Sequence, residues 1–225
     1  MNRLVRVSTE VVVRFWPLIV AQGIGESIAS YGIWRQLAVP MFILPIVMFT
    51  VAVVIVLYGR IVASVLSGQS SDSWAILQKY GLCYLVAMLA IGTPELLFKV
   101  LARQSNMAGS TFWAISGSIH VAMSLLTIYS LPIVFLKRAH VPAVLAGVGF
   151  LMAHIWQSRW ILGVVVLALV IHGGGVIAIW KWPSAQTYIL VTSTGVLTAI
   201  LHSVSFLSAT RVLLGVPSER SGVST

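Results

Sequence analysis

Few residues in this chain have the chemistry to bind or transfer anything: Glu26, Glu95, Lys99, His120, His154, His172 and His202. All sit in or beside long apolar runs, where an ionisable group is costly and marks a candidate site. Glu26 lies between Gly25 and Ser27, near Gln22. A carboxyl in such surroundings needs a proton or a partner, so Glu26 is a candidate proton or ion site. The plainer alternative places it about two turns from Arg35, within reach of interfacial water. Glu95 and Lys99 are four residues apart with the acid first. That is the favourable orientation of an intrahelical pair, and it reads as a simple surface pair.

The histidines suggest a different chemistry. Counted along the helices, His120 lies roughly 15 Å inside the outer end of its apolar segment and His172 roughly 12 Å inside the outer end of another. Two imidazoles at one depth on neighbouring helices are the geometry of a b-type haem. The run Gly173-Gly174-Gly175 beside His172 leaves room for a macrocycle. A second pair, His154 with His202, matches less well: His154 lies near the inner surface and His202 roughly 14 Å from it. The plainer reading of all four is hydrogen bonding between helices.

Motifs for other chemistries are missing. The chain has no G-x-S-x-G, no HExxH and no Walker A sequence, and no paired carboxylates stand ready for general acid–base work. The expectation is a protein that is not an enzyme. The single cysteine, Cys83, permits no internal disulfide and no cysteine metal site. It reads as a small buried hydrophobe.

The elements that must position these residues follow from composition. Of 225 residues, 59% are hydrophobic and 8% are charged. Soluble domains have about 25% charged residues. A mean hydropathy of +1.00 agrees, and the expected class is all-α, a polytopic integral membrane bundle. The apolar runs are long and continuous rather than alternating, which selects helices over a barrel. Six spans are predicted: 16–33, entered through Pro17 at a first helical position, then 39–66, 74–92, 110–136, 160–180 and 186–214. Residues 67–73 (SGQSSDS) read as a loop, with Asp72 or Ser73 capping the next helix. Thr93-Pro94-Glu95 has the form of a helix start, so 95–103 reads as a short interfacial helix or a kinked end of the third span. Residues 104–109 read as a loop and 181–184 as a tight turn. After Lys137-Arg138, Pro142 starts a segment over 143–158 that lies along the interface or leads into the fifth span. Residues 1–214 thus form one transmembrane domain, and 215–225 a flexible polar tail.

The net charge of +9 comes from basic residues scattered singly at helix ends rather than from a stripe, which argues against nucleic acid. With the N-terminus inside, Arg3, Arg6, Arg14, Arg60, Lys79, Lys137, Arg138, Arg159, Arg211 and Arg220 face one side and Arg35, Lys99, Arg103 and Lys181 the other. That asymmetry predicts that both termini are cytoplasmic. Arg14 and Glu10 interrupt the region where a cleavable signal would need an unbroken apolar core. Trp34, Trp160, Trp180 and Trp182 fall near predicted helix ends, as interfacial anchors do. Small residues repeat every four positions at Ala21, Gly25 and Ala29 and again at Gly195, Ala199 and Ser203. Such stripes allow close helix packing, within the chain or against a partner.

The FWPLIV sequence at 15–20, SDSWAILQKYGL at 71–82 and the YSLPIVFL-KR-HVPAVLAG run over 129–147 give a layout that resembles the membrane domain found with some bacterial glycerophosphodiester phosphodiesterases and related six-helix inner-membrane proteins. In that family the hydrolase is a separate soluble domain, which this sequence lacks. The resemblance implies a membrane-embedded partner or scaffold, and no functional residue carries over. The first expectation is therefore a non-catalytic subunit or transport-associated scaffold, partnered by the lipid bilayer and by other membrane subunits or further copies of itself. The second is an electron carrier with haem b on His120 and His172. The third is a small proton-coupled permease using Glu26.

Overall fold

The computed structural model describes residues 2–34, 40–66, 72–104, 109–181 and 185–215. Every element in them is helical: α1 (Asn2–Trp34), α2 (Pro40–Leu66), α3 (Ser73–Gln104), α4 (Gly109–Leu126), α5 (Ser130–Lys137), α6 (Val141–Ala153), α7 (Ile155–Lys181) and α8 (Ala185–Leu213). Five helices are long and apolar enough to cross a membrane, and six when α4 and α5 count as one bent span. The protein is a multi-pass membrane bundle. Arg35, most of the 67–73 and 104–109 loops, the 182–184 turn, the tail from 216 and the side chains of Trp34, Trp180 and Trp182 lie outside the described residues.

Successive long helices run antiparallel, and pairs of contacts fix the register. On α1 and α8, Glu10 accepts two bonds from Arg211 Nη2 at 2.7 and 2.9 Å, and farther along Ser27 Oγ donates to the Val191 carbonyl at 3.2 Å. Between these points a side chain on Gly23 would strike the Val196 backbone, and one on Gly195 would strike the Gly23 carbonyl and Ser27 Oγ. The two terminal helices therefore approach to backbone contact, as small residues permit in lipid. Ala199 and Ser203 are fully buried on the same α8 face. Gly25 turns instead toward Thr50 on α2. Gly25 and Gly195 thus each serve a close helix contact within the chain.

On α2 and α3, Arg60 Nη2 donates to Ser73 Oγ at 2.9 Å and Gly59 lies against Ile76. The start of α3 is capped as expected, the Asp72 carboxylate accepting from the Ala75 N–H at 3.1 Å. Cys83 is buried, with its thiol 3.7 Å from the Arg138 carbonyl.

Several boundaries differ from the sequence reading, and prolines account for most of them. Pro17 is internal to α1 rather than at its start. Pro94 is internal to α3, so 95–103 is no separate helix. Thr93 caps nothing; its hydroxyl donates back to the Leu89 carbonyl at 2.7 Å. Membrane helices tolerate proline when neighbouring groups take up the freed carbonyls. The fourth span is not continuous: it bends by 46° between α4 and α5. There Thr127 Oγ1 bonds the Met123 carbonyl at 2.5 Å, Ser130 N bonds Thr127 O at 2.9 Å, and Pro132 has no N–H to offer the ladder.

The segment 143–158 is also broken. Pro142 opens α6 as expected, but α6 ends at Ala153, and His154 leaves the helical conformation before α7 begins. α6 buries Ala143, Val144, Gly147 and Leu151, with Gly147 against Ser130, so it packs along α5 on its way to α7. Trp160 is correspondingly inside α7, packed against the core, and not at a helix end.

Two apolar clusters fill the bundle. One joins α1, α2, α3, α5, α7 and α8 around Tyr58, Phe135 and Phe206; Tyr58 stacks on Phe206 with ring centres 4.1 Å apart. The other surrounds Tyr129, whose hydroxyl meets Ser158 Oγ at 2.7 Å across α7. Tyr129→Phe removes this interhelical bond and should cost about 1 kcal/mol, read as a lower melting temperature in detergent.

Candidate functional site

Inside the bundle lies a cavity of about 440 Å³. Its carboxyl, amide and imidazole groups come from five helices: Gln22 and Glu26 from α1, Glu95 from α3, His120 from α4, His172 from α7 and His202 from α8, and Ser124, Thr127 and Ser205 add hydroxyls. Tyr58 and Phe206 supply aromatic surface, and most of the rest is aliphatic or methionine. Gln22, Val54, Tyr58, Ser205 and Phe206 are buried, whereas Met88, Gly92 and His120 are exposed. The cavity therefore opens on the side of α3 and α4.

Glu26 is held by its own helix. One turn earlier, Gln22 donates from Nε2 to Glu26 Oε1 at 2.8 Å. Tyr58 of α2 lines the same cavity. The Gln22 side chain is 1% exposed and its carbonyl Oε1 has no hydrogen-bond partner.

Glu95 corrects the surface-pair reading. The expected bond is there, with Lys99 Nζ 2.6 Å from Glu95 Oε1. The same carboxylate also takes a 3.3 Å bond from Ser116 Oγ and lies 3.2 Å from His120 Nδ1, both on α4. The α3–α4 crossing that permits this is set by Phe98 and Phe112, whose rings stack 5.8 Å apart. Spacing along one helix could reveal only the first of these three contacts. With Nδ1 facing a carboxylate, the His120 ring is oriented so that Nε2 is its other functional atom, the arrangement by which a second group fixes an imidazole.

Matching depth pairs His120 with His172, and both do line this cavity. His202, which depth sets apart with His154, joins them there. His154 takes no part: its ring stacks on Phe150 at 4.2 Å and its Nδ1 meets the Phe150 carbonyl at 3.0 Å. This bond runs one turn back along its own segment and does not join two helices. The glycine run does not cradle anything at the cavity: Gly173 and Gly174 face open space, and Gly175 serves the close approach of α7 to Thr194 of α8.

Among the described residues, no group of three or more His, Cys, Asp or Glu side chains is arranged to hold a metal ion. A haem fits poorly. Its two propionates need donors or cations, but the charged residues lining the cavity are Glu26 and Glu95, and Lys99 is already taken by Glu95. The arrangement suits binding and proton exchange. It offers two carboxyls and three imidazoles in an apolar shell, one carboxyl in contact with an imidazole and the other with an amide. No family model, curated protein or solved structure matches the chain.

Proposed function

We propose that the protein is a small proton-coupled carrier that binds its solute in the cavity between α1, α3, α4, α7 and α8. The observation that carries this reading is the convergence of Glu26, Glu95, His120, His172 and His202 on one cavity inside an apolar bundle. Ionisable groups inside a membrane are retained where they relay protons or bind solutes. Five from five helices on one cavity exceed what packing requires. Glu26 is the group that gives up its proton as the solute binds, with Tyr58 of α2 lining the same cavity. The Glu95–His120 pair lies at the exposed side of the cavity and passes protons to it.

A scaffold role draws on the small-residue stripes, of which Gly195 lies against α1 and Gly25 against α2. The distribution of basic residues supports cytoplasmic termini, an orientation in which the exposed side of the cavity faces the outer half of the membrane.

The test uses proteoliposomes loaded with a pH-sensitive dye. Four solute classes are added in turn: organic amines, carboxylates, neutral sugars and zwitterionic amino acids. One class should shift the internal pH in protein-containing vesicles well beyond its effect on empty ones. If all four behave alike in both kinds of vesicle, the carrier reading is wrong.

A further inference from the structure

The chemistry of the solute can be read from what the cavity leaves unsatisfied. Gln22 is almost wholly buried, lines the cavity and spends its N–H on Glu26, while its carbonyl oxygen has no partner. A buried acceptor without a donor is costly, so the missing occupant is a hydrogen-bond donor. Beside it stands the Glu26 carboxyl, which favours a positive charge. The stacked Tyr58 and Phe206 rings add aromatic surface, which favours a cation over a neutral molecule of equal size. Ile91, Leu131, Val165 and Leu169 give the same wall its apolar stretches, and the cavity is exposed at Met88 and Gly92 of α3.

We propose that the solute is a protonated primary or secondary amine carried on an apolar body, its N–H groups bonding Gln22 Oε1 and the Glu26 carboxylate. A quaternary ammonium has no N–H for the Gln22 carbonyl. An organic anion would meet two carboxylates. Because one carboxyl accommodates either a proton or the ammonium group, binding exchanges them: the Glu26 O–H proton leaves to water as one ammonium ion arrives, and charge is conserved. This exchange rests on the carrier reading above; binding itself does not.

The experiment is calorimetric titration of the detergent-purified full chain with phenethylammonium, its trimethylammonium analogue and phenylacetate. Phenethylammonium should bind saturably, and the other two at least about tenfold more weakly. Gln22→Leu should weaken phenethylammonium by about tenfold and leave the trimethyl analogue unchanged. Equal binding of the amine and its trimethyl analogue to the unaltered chain overturns the proposal without relying on any variant. So does preference for phenylacetate, or an unchanged affinity in a folded Gln22→Leu protein. The two readings fail separately. An amine that binds but never shifts vesicle pH sinks the carrier and keeps the site, whereas a pH shift driven by another solute class, with no amine bound, does the reverse.

Discussion

Gly195→Leu should leave almost no folded protein after detergent extraction. A side chain there would reach the Gly23 carbonyl and the Ser27 hydroxyl, and these cannot both yield. The carbonyl belongs to a helix backbone, and the Ser27 hydroxyl bonds both Gly23 O at 2.7 Å and Val191 O at 3.2 Å. Overpacking a well-filled contact costs about 1–3 kcal/mol, and more when backbone must move. Here the moving parts are the first and last helices of the bundle, already tied at their other end by Glu10 and Arg211. The measurement is the monodisperse fraction on size exclusion and its melting temperature. Gly163→Leu is the matched control, because no atom lies within 4 Å of a Cβ placed at Gly163. It should be neutral or slightly stabilising, since it replaces a poor helix former. A Gly195 variant as stable as the control would mean that α1 and α8 do not meet as described.

This contact shows what one dimension of sequence can and cannot carry. The repeat at Gly195, Ala199 and Ser203 announced a close-packed face, but its partner was Gly23, one residue pair away from the repeat picked out on α1. Spacing gives a face, and only the crossing of two helices gives the partner. The spans themselves were legible because apolar runs near the length of a bilayer have few alternatives. Their interruptions were less so. Thr93-Pro94-Glu95 has the letters of a helix start, and within lipid the same letters sit inside α3 because Thr93 turns its hydroxyl back onto Leu89. The break at 127–129 depends on Thr127, Ser130 and Pro132 acting together, and no one of them signals it.

The site was half legible for a related reason. Ionisable residues in apolar runs identify themselves by type, so Glu26 and the histidines stood out. Where they meet was harder. His202 was placed by counting from one end of its helix, but α8 has 29 residues, about 43 Å of helix against a hydrocarbon core of about 30 Å. Depth counted from such an end is off by whole turns. Glu95 was misread because its i,i+4 partner hid the contacts to Ser116 and His120. The orphaned Gln22 carbonyl has no sequence signal at all, since it follows from how one amide is oriented by its neighbour.

Glu26→Gln is the second large effect, and it falls on function rather than on folding. The substitution keeps the size of the side chain and a hydrogen-bonding group next to Gln22, so the fold should survive. What it removes is the only group on α1 able to hold either a proton or a cation within the cavity. The most direct measurement sets wild-type and Glu26→Gln proteoliposomes side by side at equal protein content and follows internal pH while solute is added. The account predicts a solute-driven pH shift in the wild type and a trace indistinguishable from empty vesicles in the variant. A wild-type shift that persists undiminished in Glu26→Gln would contradict it.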